Sequence, residues 1–469
     1  MKKHIYVLAA TSLMLLGCGK DWTETQSKAK EFEDVAWEDL KENKYKHIWL
    51  SEQQRKQEND QALKAYFADL REYKKKAWLN TGENGGQTPF FYFWYASPTW
   101  RAENGVARTW LQAVPDSVTC ISLWGALDLR PDELTSNMKK DLEVFHEKGS
   151  SVLMCWQTPE PGIGLLGKKG HKYQHDESPG VTYFKERFPF ETHYEKWPEL
   201  YARDLARYII VMGLDGYDLD WELSCGDHLT DFKREQNPLP FDEVVSKQRS
   251  SLMLADNNYE NITKFIKEIA KYFGPKYTGA ERQKYIEDLF NPATQGFDKN
   301  EEIFINEFKS HLPQDYATKK YYLCADLPCN QNPVTRIYAT IPIFDSEFAQ
   351  YFDKHFMQDY SVNGIGSIRP YGGVTFNTTS ADYQREFYGQ VEGKAKAVAE
   401  RKVWGFAAYH GQSDYANTHN QGKFKEYTKR NKIKRKYSNY AWTREAIRIS
   451  DPRPSYSNYK EIPPYIITP

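Results

Sequence analysis

Short apolar runs recur from residue 90 to residue 409, separated by segments of helical spacing, and this alternation restricts the fold more than any other feature. Phe90–Tyr95, Val118–Trp124 and Ser151–Trp156 are the first three, the third preceded by an amphipathic Glu133–Lys148 segment. Tyr208–Leu214 reads as a fourth strand entering a core. Tyr321–Asp326, His355–Tyr360, Gly373–Phe376 and Val403–Tyr409 complete the series, and Tyr440–Ser450 reads as a closing helix. Strand, helix, strand in repetition requires parallel pairing with helical crossovers. Eight such units predict an α/β fold, a (β/α)8 barrel, whose functional side chains belong at the carboxyl ends of the strands.

The fourth run ends in Asp215-Gly216-Tyr217-Asp218-Leu219-Asp220-Trp221-Glu222. Side chains alternate along a strand, so Asp218, Asp220 and Glu222 share one face while Leu219 and Trp221 take the other. Three acids in line at the end of a buried strand repel one another and are costly to desolvate. A solvated acidic run does not fit between Ile209-Ile210-Val211 and Trp221. A calcium loop starting at Asp218 would need Gly and Glu where Leu223 and Leu229 stand. No Cys/His spacing fits zinc; a different Mg²⁺ or Ca²⁺ site is the alternative reading of the acids, and the expectation is neither metal nor cofactor. Such an arrangement is kept mainly where a proton donor is needed at neutral pH.

The spacing Asp-x-x-Asp-x-Asp-x-Glu resembles the signature of glycoside hydrolase family 18, which includes chitinases and endo-β-N-acetylglucosaminidases. The resemblance covers roughly residues 86–450 and implies a TIM barrel and substrate-assisted hydrolysis. It makes Glu222 the acid and base, Asp220 the partner of the substrate acetamide and Asp218 the group that shares a proton with Asp220. Asp215 is expected to be structural. On the sixth strand Tyr360 would hold the acetamide carbonyl, and Gln358 would position the sugar. Trp124, Trp156, Trp404 and Tyr409, near strand ends, are candidate sugar-binding surfaces; so is Tyr95. Chitinases of the family carry Ser-x-Gly-Gly on the third strand and Met-x-Tyr-Asp on the sixth. Here Ser150–Trp156 has no Gly pair, and the sixth strand reads Met357-Gln358-Asp359-Tyr360-Ser361. Gln-x-Tyr-Ser, Ser122-Leu123-Trp124-Gly125 and Tyr440–Ile447 resemble endo-β-N-acetylglucosaminidases of Bacteroidetes lipoproteins. The implied substrate is therefore a glycan or glycoprotein. The alternatives are a chitinase-like hydrolase and a glycan-binding lipoprotein without activity.

The amino terminus reads as an address. Lys2, Lys3 and His4 precede a short apolar stretch, Ile5–Leu16, too short to span a membrane. Leu15-Leu16-Gly17-Cys18 resembles a lipobox, with Cys18 the lipidated residue, and Gly19-Lys20-Asp21 resembles a surface-export signal. These imply a lipid anchor in the bacterial outer membrane, at the cell surface or facing the periplasm, and a glycan-uptake system as partner. The expected organisation is a leader over 1–18, a helical lead-in over 19–85, the barrel over 86–450 and a tail over 451–469. Leu63, Tyr66, Phe67 and Leu70 give the lead-in a helical stripe. A long insertion, Leu223 to about Lys320, separates strands four and five, far beyond ordinary connections. Within it Asn261–Phe273 reads as the crossover helix, Glu281–Phe290 and Glu301–Leu312 as added helices. Residues 223–258 should lie on the active-site face. A net charge of −1 favours no nucleic acid partner. Cys120, Cys155 and Cys324 fall in apolar runs and read as buried thiols. Cys324 and Cys329 are also close enough in sequence to pair across a loop.

Overall fold

The computed structural model describes residues 52–80, 88–96, 111, 114–124, 129–157, 160–173, 178–220, 254, 259–328, 346–360, 377–383, 389–416, 418–433 and 440–451. Eight parallel strands close into a barrel in sequence order. They are β1 (Phe90–Ala96), β2 (Cys120–Trp124), β3 (Ser151–Gln157), β4 (Gly216–Asp220), β5 (Tyr322–Pro328), β6 (Lys354–Gln358), β7 (Thr378–Asp382) and β8 (Gly405–Tyr409). β8 returns to pair with β1, Phe91 opposite Phe406, so no strand among the eight is left as an edge.

The strands are buried on both faces, and alternation divides the apolar side chains into two cores. Phe90, Tyr92, Trp94, Cys120, Leu153, Cys155, Cys324, Phe356 and Ala407 fill the barrel interior. Phe91, Phe93, Tyr95, Ile121, Val152, Met154, Tyr217, Leu219 and Phe406 point outward into the helical layer. Tyr92 stacks on Phe356 with ring centroids 3.9 Å apart, joining opposite walls of the barrel. Cys120, Cys155 and Cys324 are buried free thiols; Cys329 lies outside the described residues.

The helices that flank the sheet are α1 (Glu52–Leu79), α2 (Ser136–Glu147), α3 (Pro179–Arg187), α4 (Trp197–Val211), α5 (Tyr259–Ile269), α6 (Gly279–Leu289), α7 (Glu302–Phe308), α8 (Gly389–Ala399), α9 (Thr418–Arg430) and α10 (Ala441–Ser450). Between β4 and β5 stand α5, α6 and α7, so the long insertion is helical where it is described. α1 packs against the amino-terminal end of the barrel. Its Trp78 stacks on Tyr322 at 3.7 Å, and Lys354 Nζ donates to the Asn80 carbonyl at 2.6 Å.

The structure corrects the fourth strand. Tyr208–Val211 belongs to α4, and β4 begins only at Gly216. α4 is buried on nearly all sides, so its apolar stretch shows no helical stripe. Three of its buried charged residues are paired: Arg203 and Arg207 both meet Glu301, and Arg207 also meets Asp204. β7 lies at Thr378–Asp382; the expected run Gly373–Phe376 lies outside the described residues.

Gly216 marks where the chain enters β4. Its φ of +144° suits glycine alone, and a Cβ there would come within 2.0 Å of the Tyr322 carbonyl oxygen. This close approach brings β4 and β5 into a register that sets Asp218 opposite Cys324 and Asp220 opposite Asp326.

Candidate active site

Asp215 stands just before β4. Its carboxylate accepts from the Val152 backbone N–H at 2.6 Å and meets His146 Nε2 at 2.8 Å and Lys319 Nζ at 2.7 Å. Burial alone would raise its pKa, but His146 and Lys319 outweigh burial and hold it well below the usual carboxylate range. The contacts are those of a structural clamp on the entrance to β4.

Asp218 points into the barrel and is wholly buried. Tyr92 donates its hydroxyl to Asp218 Oδ2, and Trp94 Nε1 donates to the same oxygen at 3.0 Å. Burial pushes the carboxyl up to about 7, against hydrogen bonds from Tyr92, Trp94 and Cys155 that pull it down. Asp218 therefore holds or releases a proton near neutrality. Burial, and next the Asp218 charge, push the Tyr92 hydroxyl well above its ordinary value, so it stays a donor.

Asp220 is one inward position nearer the carboxyl ends of the strands. Gln358 Nε2 donates to Asp220 Oδ1 at 3.1 Å and to Asp326 Oδ2 at 3.0 Å, so one amide links carboxylates on β4 and β5. Tyr360, just past β6, and Tyr409, ending β8, form an aromatic rim with ring centroids 5.5 Å apart. Trp94 meets the Tyr360 ring edge-on at 6.1 Å. Asp218, Asp220, Gln358, Tyr360 and Tyr409 thus converge at the carboxyl ends of β4, β6 and β8. Glu222 lies outside the described residues, as does the segment 223–258 apart from Leu254.

Four of the aromatic candidates fall elsewhere or out of view. Trp156 takes the outward parity of β3 and packs against the helical layer. Trp404 precedes β8, and its carbonyl accepts from Phe90 N–H at 3.0 Å, which puts it at the amino-terminal end of the barrel. The side chain of Trp124, at the end of β2, lies outside the described portion. Tyr95 also points outward, its hydroxyl 3.3 Å from that of Tyr440.

The strands bring in residues that the motif did not name. Asp326 is one, and Tyr92 and Trp94 are others, recognisable only once β1 is known to face β4 across the interior. Asp382, ending β7, lies 3.6 Å from His410 Nδ1, and His410 adopts a left-handed φ of +54°. A non-glycine residue held in that region is a strain that clusters at functional sites. Cys155 Sγ and oxygens of Asp220 and Asp326 lie within 4.8 Å of one another, the spacing of a small metal cage. The Gln358 amide directs its N–H groups at both carboxylates, into the space a cation would need.

Fold and site together define a (β/α)8 barrel with a carboxylate-rich, aromatic-rimmed site at the carboxyl ends of its strands. Among solved structures, the chain is similar to a selenomethionine-labelled variant of BT1044, with 17% identity, 83% of this chain and 93% of that one covered, and a TM-score of 0.47. It is similar to an endo-β-N-acetylglucosaminidase from Cordyceps militaris at 14% identity, covering 82% and 95%, TM-score 0.40. A GH18 chitinase from Pseudoalteromonas aurantia is similar at 13% identity, covering 72% and 99%, TM-score 0.33. No protein-family profile and no curated protein matches the chain.

Proposed function

We propose that the chain is a glycoside hydrolase of the family 18 type, an endo-β-N-acetylglucosaminidase that cuts the di-N-acetylchitobiose core of N-glycans. The observation that carries this reading is the convergence of Asp218 and Asp220 with Gln358 and Tyr360 at the carboxyl ends of the strands. The Asp-x-x-Asp-x-Asp-x-Glu spacing sets Glu222 on the same strand parity, two residues beyond Asp220.

In this mechanism the substrate's 2-acetamido oxygen attacks the anomeric carbon. The glycosidic C–O bond breaks, and its oxygen takes a proton from Glu222. Asp220 accepts the acetamide N–H and stabilises the positive oxazolinium ring. Tyr360 donates to the acetamide oxygen and aims it. Water then gives a proton to the Glu222 carboxylate and attacks the anomeric carbon, returning the acetamide. Two inversions retain the anomeric configuration. Asp218, poised near neutrality, adjusts the charge beside Asp220 as the ring becomes positive.

Mass analysis of an N-glycoprotein digest tests the reading. One N-acetylglucosamine should stay on Asn, and the released glycan should carry one at its reducing end. Asn converted to Asp would mean amidase chemistry, and cleavage of chitin oligomers alone would favour the chitinase alternative. Glu222→Gln should lower turnover by roughly 10²–10⁴-fold or more with the fold intact. Wild-type-like turnover by that variant refutes the catalytic assignment, while glycan binding without hydrolysis by the wild type would favour the binding-protein alternative. The lipobox supports lipidation at Cys18 and an outer-membrane address; loss of radiolabelled fatty acid in Cys18→Ala tests it.

A further inference from the structure

Asp326 has no counterpart in the acidic motif, yet it sits directly beside it. It lies on the inner face of β5, opposite Asp220 in the strand register, and is buried. A buried carboxylate needs partners. Its Oδ2 accepts from Gln358 Nε2 at 3.0 Å, while Asp220 Oδ1 accepts from the same nitrogen at 3.1 Å. A primary amide has two donor hydrogens and one acceptor oxygen. Both hydrogens are thus committed to carboxylates, neither of which can donate in return when ionised. Gln358 is only part-buried, and with both hydrogens committed its amide can offer a ligand only the oxygen.

We propose that Asp326 is a positioning residue that fixes the Gln358 amide with its oxygen toward the cleft, making Gln358 an acceptor for a sugar hydroxyl or N–H. With Asp220 alone, one amide hydrogen would be uncommitted and the group could turn to present its NH₂ instead. Asp326 therefore selects ligands that bring a donor to this point and acts against those that bring only an acceptor. The selectivity rests on the glycosidase reading, but the orientation of the amide does not.

The test has two arms. In protein labelled with ¹⁵N at glutamine side chains, the Gln358 signals are identified by their loss in Gln358→Glu. Both amide protons should exchange slowly with solvent in the wild type. At least one should exchange much faster in Asp326→Ala. Asp326→Asn, whose carbonyl still accepts, should restore most of the protection and guards against a folding defect. In the second arm, Asp326→Ala should raise KM for an N-glycopeptide by about tenfold, the effect of one polar contact, with a smaller change in kcat. In a Gln358→Ala background the same substitution should change little. Amide protons unmoved by the loss of Asp326, or effects of the two substitutions that simply multiply, would overturn the proposal. Absence of hydrolysis by the wild type would instead overturn the glycosidase reading, and the exchange measurement would still decide the role of Asp326.

Discussion

Asp218→Asn should make the protein more stable in alkali and remove part of its pH dependence. The folded carboxyl is pushed from an ordinary 3.8 to about 7 by burial. From about pH 4 upward the unfolded chain releases this proton while the folded chain keeps it. The folded state then binds more protons, so stability falls as pH rises, and the fall stops once pH passes the folded value. At about 1.4 kcal/mol per pH unit the full loss is about 4 kcal/mol. About 2 kcal/mol of it falls between about pH 5 and pH 7. Asn cannot ionise, and its carbonyl can still accept from Tyr92 and Trp94. The amide N–H groups gain no good acceptor, which costs about 1–3 kcal/mol at every pH. Urea unfolding followed by tryptophan fluorescence should therefore find the variant weaker than wild type near pH 5, with the difference moving in its favour by about 3 kcal/mol near pH 8. Parallel stability curves for the two proteins would refute the argument that Asp218 is protonated in the folded state.

Asp220→Asn and Tyr360→Phe should each lower kcat more than they raise KM, because in the proposed mechanism both groups act on the acetamide as it becomes a nucleophile; steady-state kinetics on an N-glycopeptide checks this. Gly216→Ala should abolish soluble expression or cost more than about 3 kcal/mol in thermal unfolding, since the new Cβ meets the Tyr322 carbonyl. Lys394→Met should cost about 3–5 kcal/mol, measured by urea unfolding. Lys394 Nζ lies 2.9 Å from Asp359 Oδ2, both side chains are fully buried, and the substitution strands a charge beside Gln358 and Tyr360.

The barrel was legible because its strands are separated by helices of ordinary length and differ from them in apolar pattern. The run at 208–214 misled for a definite reason: a helix buried on all sides and a strand buried on both faces look alike in periodicity. β7, Thr-Thr-Ser-Ala-Asp, carries too little apolar character to mark it as a strand. Within the site, Asp218, Asp220, Gln358 and Tyr360 could be named from local spacing. Asp326 could not, because it becomes a neighbour of Asp220 only through the β4–β5 register. The same gap explains Trp156 and Tyr95, whose strands are apolar on both sides and so do not announce which residues face inward. Trp404 is a matter of strand direction, one position before β8 rather than at its end.

The seat of α1 is the amino-terminal end of the barrel, the floor beneath the site. Trp78, Tyr322 and Lys354 fasten this helix to the end of the cylinder farthest from Asp220 and Tyr360. With Cys18 lipidated as proposed, a pull transmitted through α1 arrives at the floor of the barrel, and the end that carries Asp220 and Tyr360 faces away from the anchor.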